Sequence, residues 1–161
     1  MDQKLCDRLA EIIQAGGGET VGSEIYVSIF RLDSDTSYGL CADETWVAHR
    51  PDTTALVHLG DGTEPHFCEV VECKRAQFEQ LLETGAMRVG LDSELLTLSF
   101  PSVEIVRALL HTQSTHYTRL ALLWLLPSEL RSLRQDIVEA ADNRNLPGPV
   151  RDLARHLVVP E

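Results

Sequence analysis

Histidine and cysteine residues near the middle of the chain could bind a metal ion. His66 and Cys68 stand two residues apart on a predicted strand and share one face, and His58 and Cys73 lie near them in sequence. Imidazole and thiolate are zinc ligands, and a cysteine beside a histidine can also act as a nucleophile. The spacing argues against zinc, because Cys73 has the opposite parity to Cys68 and no Cys-x-x-Cys pair occurs, and no motif supports a nucleophile pair. We therefore predict no metal and no cofactor, and a small enzyme or zinc protein centred on His58, His66 and Cys68 is kept as an alternative.

The segment DSDTSYGLCADE, residues 33–44, has oxygen-bearing side chains at spacings used by calcium loops. Asp33, Asp35 and Ser37 occupy its first, third and fifth positions, and Glu44 occupies the twelfth. The sixth position is Tyr38 instead of the glycine that such a loop needs for its sharp turn, and predicted strands flank the segment. A polar hairpin turn accounts for this segment better than a calcium site.

Negative charge is concentrated in the first part of the chain. Residues 1–104 contain 19 Asp and Glu against 7 Lys and Arg, a net charge of −12, whereas residues 105–161 carry +1. Such a surface repels nucleic acid phosphates and anionic membranes and attracts a cationic partner. We therefore predict another protein, of basic character, as the partner, and neither direct nucleic acid binding nor membrane binding.

The residues predicted to contact this partner are carboxylates of the strand-rich part and aromatic side chains expected to be exposed beside them. Acidic groups speed association with a basic protein, and aromatic groups hold the complex once it has formed. These partner-binding residues are Asp33, Asp35, Tyr38, Asp43, Glu44 and Trp46.

The start of the chain predicts a cytoplasmic protein. Charged residues are scattered through MDQKLCDRLAEII, which lacks the apolar run of a secretory signal. The longest apolar run has seven residues, 120–126, far fewer than a membrane span needs. The four cysteines are accordingly expected to be reduced thiols.

Hydrophobic periodicity predicts one helix followed by strands. Leu5, Leu9, Ile12 and Ile13 have helical spacing, and the period changes to two at residue 24. Strands are predicted over residues 24–32, 38–49, 53–59 and 65–73, with a hairpin signal at Asp61-Gly62, and a fifth over residues 93–100. Their antiparallel meander is expected to bury one face and expose the other.

The remaining segments have helical periodicity. One helix is expected to end at Gly85, and others to follow Pro101 and fill residues 105–161. The predicted fold class is α+β, with an N-terminal helix, an antiparallel sheet of about five strands and C-terminal helices packed on one face. We predict a single domain, 1–161, with a strand-rich part, 1–104, and a helical part, 105–161.

The apolar run Leu120–Leu126 leaves no polar face on its helix. We expect the helix that contains Trp124 to lie at the centre of the core, and the alternative is a homodimer through this helix if its neighbours do not cover it.

Together these features predict a non-enzymatic, cytoplasmic protein-binding module that uses an acidic sheet surface to bind a basic partner. Immunity proteins, secretion chaperones and inhibitors that imitate nucleic acid share this general character. Besides the enzyme or zinc protein named above, a second alternative is a structural subunit of a larger assembly, joined through the apolar C-terminal helices.

Overall fold

Helices and strands follow one another in an α+β order. The computed structural model describes residues 3–32, 34–60, 62–112 and 114–158. Within these ranges seven α-helices form: α1 (Gln3–Gln14), α2 (Arg75–Val89), α3 (Ser93–Ser99), α4 (Ser102–Leu110), α5 (Thr115–Trp124), α6 (Arg134–Asp142) and α7 (Gly148–Leu157). The strands there are β1 (Glu19–Val21), β2 (Glu24–Arg31), β3 (Ser37–Cys41), β4 (Trp46–His49) and β5 (Val57–His58), followed by a 3₁₀ helix, Glu64–Glu72. The predicted α+β class, which begins with a helix and has an antiparallel sheet, is confirmed.

Each strand of the sheet pairs antiparallel with the next one along the chain, in the order β1-β2-β3-β4-β5. The turn from β1 to β2 and the turn from β3 to β4 therefore lie at one end of the meander, and the β2–β3 turn lies at the opposite end. Because His58 of β5 pairs with Val47 near the start of β4, His58 also lies at the end that holds the β3–β4 turn.

The β2–β3 and β3–β4 hairpins have the same turn geometry, with an acidic residue in the left-handed region. Asp35 N donates to Leu32 O, and Glu44 N donates to Cys41 O in the same way. The backbone φ is 61° at Asp35 and 65° at Glu44, and no other non-glycine residue in the described ranges has a positive φ. The predicted strand over 38–49 is therefore wrong, since the second of these turns divides it into β3 and β4.

The strands predicted over 65–73 and 93–100 are also wrong. The first segment is the 3₁₀ helix, whose buried Phe67 and Val70 stand three residues apart and so share one face. The second segment is α3, where the Asp92 side chain accepts hydrogen bonds from the backbone N–H groups of Glu94 and Leu95. This N-cap begins a helix in a sequence whose alternating leucines resemble a strand.

The central strands are buried on both faces, so the predicted exposed sheet face is wrong. One face carries a small apolar cluster of Val21, Tyr26, Val47 and Leu56. The other face carries an aromatic cluster that also includes residues from the helices: Phe30, Tyr38, Trp46, Phe67, Phe78 and Phe100. The carboxylates of this region lie at strand ends and turns, because β2, β3 and β4 have little surface left for charged side chains.

Helix α2 packs directly on the backbone of β2 and continues through Gly85, which was expected to end it. A Cβ atom built at Gly85 would lie 2.2 Å from the carbonyl oxygen of Ile29, so only glycine fits this contact. The register of β2 and β3 shifts between Ser28 and Phe30, and Arg88 Nη2 donates to the carbonyl oxygens of Ser28 and Ile29 at 2.9 and 3.0 Å. Glycine therefore serves close packing here, and arginine satisfies carbonyls at the bulge.

The chain divides into two compact units, which differ in charge. Unit 1 comprises residues 1–67 and 76–100, and unit 2 comprises residues 68–75 and 101–161. Unit 1 contains 16 acidic and 5 basic residues, whereas unit 2 contains 9 of each, so the whole net charge of −11 belongs to unit 1. A single domain divided near residue 104 stays a prediction.

Unit 2 is helical, and α5 packs against α4 and α7. In the apolar run of α5, Ala121, Leu122 and Trp124 are buried, whereas Leu123 is 56% exposed. None of the helices in the described ranges combines the length and the apolar character that a membrane crossing requires.

Candidate functional site

The carboxylates predicted to bind a partner do not lie together. Asp35 is exposed on the β2–β3 turn, whereas Asp43 and Glu44 lie on the β3–β4 turn at the opposite end of the meander. Asp33 lies outside the described residues. The structure therefore brings Asp43 and Glu44 together and separates Asp35 from them.

Tyr38 and Trp46 were expected to be exposed, and this expectation is wrong. Tyr38 is 0% and Trp46 is 3% exposed. The Tyr38 ring stacks on Phe30 with centroids 4.9 Å apart, and Trp46 Nε1 donates to the carbonyl oxygen of Ser99 at 3.1 Å. Both aromatic residues belong to the core of unit 1, because β3 and β4 are buried on both faces along most of their length.

Carboxylates from two turns and a histidine meet at one end of the meander. Glu24 begins β2, and its Oε1 atom lies 2.6 Å from His58 Nε2 on β5. Asp43 and Glu44 occupy the β3–β4 turn at this same end. We call Glu24, Asp43, Glu44 and His58 the acidic end, and it combines two predicted partner-binding residues with one residue of the predicted enzyme alternative.

Asp43 is held as a carboxylate by its own turn. Its Oδ1 atom accepts a hydrogen bond from Thr45 N at 3.0 Å. This backbone hydrogen bond is the main cause that lowers the pKa of Asp43, and the nearby charge of His58 lowers it further. The side chain therefore remains an anion over the physiological pH range.

Two thiols flank the acidic end, and both favour their protonated form. Cys6 Sγ of α1 lies 3.2 Å from Glu44 Oε1, and this hydrogen bond is the main cause that raises the Cys6 pKa. Burial raises the pKa of Cys41 to about 11, with further contributions from the charges of Asp43 and Glu24. Since the thiolate is the nucleophilic form, these cysteines are poorly suited to covalent catalysis. The acidic end is therefore suited chemically to attracting cations.

The residues of the predicted enzyme or zinc alternative have separate surroundings. His58 contacts Glu24, and His66 is exposed on the 3₁₀ helix. In unit 2, Cys68 and Glu72 raise the pKa of Tyr117, whose hydroxyl donates to Glu72 Oε1 at 3.1 Å. Within the described ranges no group of three or more His, Cys, Asp or Glu side chains could hold a metal ion.

Unit 2 contains a polar cleft of about 440 Å³ beside α4 and α6. Asp136 lies in it between two basic groups, with Oδ1 2.8 Å from His111 Nε2 and Oδ2 3.4 Å from Arg107 Nε. The Thr112 hydroxyl donates to the carbonyl oxygen of Leu109 at 2.8 Å, so its proton is not directed toward the histidine. This arrangement joins α4 to α6, and it lacks the nucleophile-to-base contact of a hydrolase.

Glu24 was missed at the sequence level because its partner His58 is 34 residues away. The only available signal was the order of the meander, which places the first and third turns at the same end.

No family model, no curated protein and no solved structure matches this chain.

Proposed function

We propose that this chain is a non-enzymatic cytoplasmic protein that binds a basic protein, in the manner of an immunity protein, a chaperone or an inhibitor. The observation that carries this proposal is the charge of the two units, −11 for unit 1 and zero for unit 2. An excess of one sign on one unit directs a partner of opposite charge toward that unit and increases the association rate. None of the four cysteines, all of which lie in the described ranges, forms a disulfide, as is typical of a reducing compartment.

Within unit 1, we place the first contact at the acidic end. Glu24 and Asp43 are exposed, and Glu44 is half-buried. Asp43 and Glu24 both raise the pKa of Cys41, and His58 lowers the pKa of Asp43. These groups therefore lie close enough to act on a partner together. Glu44 adopts a left-handed backbone conformation at a cost of about 1 kcal/mol, whereas glycine would adopt it without strain.

The test compares two variants with the same change in charge. Glu24→Gln/Asp43→Asn/Glu44→Gln neutralises the acidic end, and Glu104→Gln/Glu139→Gln/Asp142→Asn neutralises three exposed carboxylates of unit 2. A partner is captured from native cell extract at low salt, and its association rate with each purified variant is measured by stopped-flow fluorescence.

We expect the acidic-end variant to associate about tenfold more slowly at low salt, and the unit 2 variant to remain within about twofold of the parent. Association with the parent should also slow steeply as the salt concentration rises, because salt screens exposed charges. A rate that is independent of salt, or an equal effect of the two variants, would contradict the proposal.

A second candidate function is that of a structural subunit or homodimer joined through α5. Leu123, at 56% exposure, is the observation that favours it, because the neighbouring Leu122 and Trp124 are buried. Any contact through this helix would therefore use Leu123 rather than Trp124. Light scattering should show a dimer that Leu123→Ser dissociates, and a monomer at all accessible concentrations would rule this candidate out.

A further inference from the structure

A groove between two helices of unit 1 lies outside the acidic end. It has a volume of about 620 Å³, and its walls come from α2 and α3. The residues that line it are Ala76, Glu79, Gln80, Glu83, Ser93, Glu94, Thr97 and Leu98.

The apolar feature of this groove is Leu98. It is 76% exposed, more than the other large hydrophobic side chains that are exposed in the described ranges, which are Ile25, Met87 and Leu123. The same helix buries Leu96 completely, so α3 places Leu96 in the core while Leu98 faces the solvent. A single exposed leucine is common on protein surfaces, but a leucine inside a groove gains contacts on several sides when a ligand enters.

The charge of the groove defines the chemistry of its occupant. Glu83 on α2 and Glu94 on α3 place one exposed carboxylate on each wall, and Glu79 adds a half-buried one. None of the described residues that line the groove is a lysine or an arginine. A ligand that buries Leu98 and carries positive charge on both sides of its apolar contact would be attracted by these carboxylates, whereas an acidic ligand would be repelled.

We propose that the α2–α3 groove docks an amphipathic helical segment of a basic partner. One large aliphatic side chain of that segment packs on Leu98, and flanking lysines or arginines pair with Glu83 and Glu94. A groove between two helices accepts the ridge of a third, and recognition through one apolar anchor with charged neighbours is a common mode of helix binding. This inference rests on the proposed function, because it gives the same class of partner a second contact on unit 1.

The experiment uses the full chain and a defined probe, a fluorescein-labelled 15-residue peptide with leucines at positions i, i+4 and i+7 and lysines elsewhere. A peptide with glutamate in place of every lysine is the charge control. Binding is measured by fluorescence anisotropy, and the site is mapped by ¹H–¹⁵N NMR. Leu98→Ala tests the apolar contact, and Met87→Ala is its matched control, because Met87 is 68% exposed on α2 and does not line the groove.

We expect the lysine peptide to bind, the glutamate peptide not to bind, and the largest NMR shifts to lie at Gln80, Glu83, Glu94 and Leu98. Leu98→Ala should weaken binding about tenfold, since a leucine side chain loses most of its burial, whereas Met87→Ala should remain within about twofold. Glu83→Gln should weaken binding about threefold, as expected for an exposed ion pair. Because Leu98 is exposed, Leu98→Ala should retain the melting temperature of the parent.

Any of three results would overturn the proposal that the groove is a docking site. They are no binding of the lysine peptide, NMR shifts centred on the acidic end, or equal losses of peptide affinity in Leu98→Ala and Met87→Ala. None of them decides the proposed function, which depends on the salt dependence of partner association and on the acidic-end variant. The partner could require the acidic end while Leu98→Ala changes neither the affinity for the partner nor the binding of the peptide. That result would support the proposed function and exclude the groove as a docking site.

Discussion

Gly85→Ala should destabilise unit 1, although alanine is the better helix former. The added Cβ would lie 2.2 Å from Ile29 O and 2.8 Å from Ile29 Cγ2, whereas real Cβ atoms almost never come within 3.0 Å of such neighbours. Because the closest atom belongs to the backbone of β2, no side-chain rotation can relieve the clash. Helix α2 and strand β2 must move apart by roughly 1 Å, as expected for an overpacked core position.

The expected change in the free energy of unfolding combines two destabilising contributions and one stabilising contribution. Overpacking of this kind costs about 1–3 kcal/mol. Separation of α2 from β2 also lengthens the hydrogen bonds from Arg88 to Ser28 O and Ile29 O, and a bond from a charged donor contributes about 1.5–3 kcal/mol when it is fully formed. Replacing a helix-interior glycine by alanine returns about 1 kcal/mol. We expect a net loss of about 2 kcal/mol in the free energy of unfolding.

The assay is urea denaturation followed by circular dichroism and tryptophan fluorescence, with linear extrapolation to water. The matched control is Gly60→Ala in the same unit, because a Cβ at Gly60 would meet nothing within 4 Å and its φ is not in the left-handed region. This control should change stability by no more than about 0.5–1 kcal/mol, and in the stabilising direction. A Gly85→Ala protein that is more stable than the parent would refute the close contact between α2 and β2.

Three further changes test the acidic end and unit 2. Glu44→Gly and Glu44→Ala both lose the hydrogen bond from Cys6 and should both slow partner association, but only glycine relieves the left-handed backbone, so Glu44→Gly should be about 1 kcal/mol more stable than Glu44→Ala in urea denaturation. A Glu44→Gly variant that is no more stable than Glu44→Ala would contradict the backbone strain. Arg75→Met removes a positive charge that lies 3.0 Å from Glu129 and 4.1 Å from the Trp124 ring centroid. Thermal unfolding should show that the free energy of unfolding falls by about 3 kcal/mol. Unchanged stability would mean that neither contact contributes. Stability should fall as the pH rises from 9 toward 11, because the raised pKa of folded Cys41 means that the unfolded chain loses this proton first. Urea titrations at several pH values should show a smaller fall for Cys41→Ala, and an equal fall would exclude a role of Cys41.

Local patterns in the sequence were sufficient for the elements whose neighbours lie within a few residues. The spacing of Leu5 and Leu9 predicted α1, since both side chains are buried on one face of that helix. The alternation from residue 24 predicted β2, and the helical spacing after residue 105 predicted a helical second part. The excess of acidic residues was visible directly from composition, because charge depends on residue types and not on their arrangement.

The prediction of secondary structure failed where capping and backbone geometry outweighed the apolar pattern. The alternation of Leu96, Leu98 and Phe100 predicted a strand, but the Asp92 cap begins a helix, and Leu98 is exposed as a result. Gly85 resembled a helix C-cap, whereas its place in the fold depends on a strand 56 residues earlier in the chain.

The sequence by itself determined that the protein is α+β, acidic in its first part and apolar in the run of α5. Only the tertiary structure decided which of the acidic residues act together. Glu24 and His58 meet across 34 residues, and Tyr38 and Trp46 are removed from the surface by helices and strands far along the chain. The physical reason is that composition and periodicity report on neighbours within a turn or two, whereas burial and charge clustering depend on contacts that form only when distant segments pack.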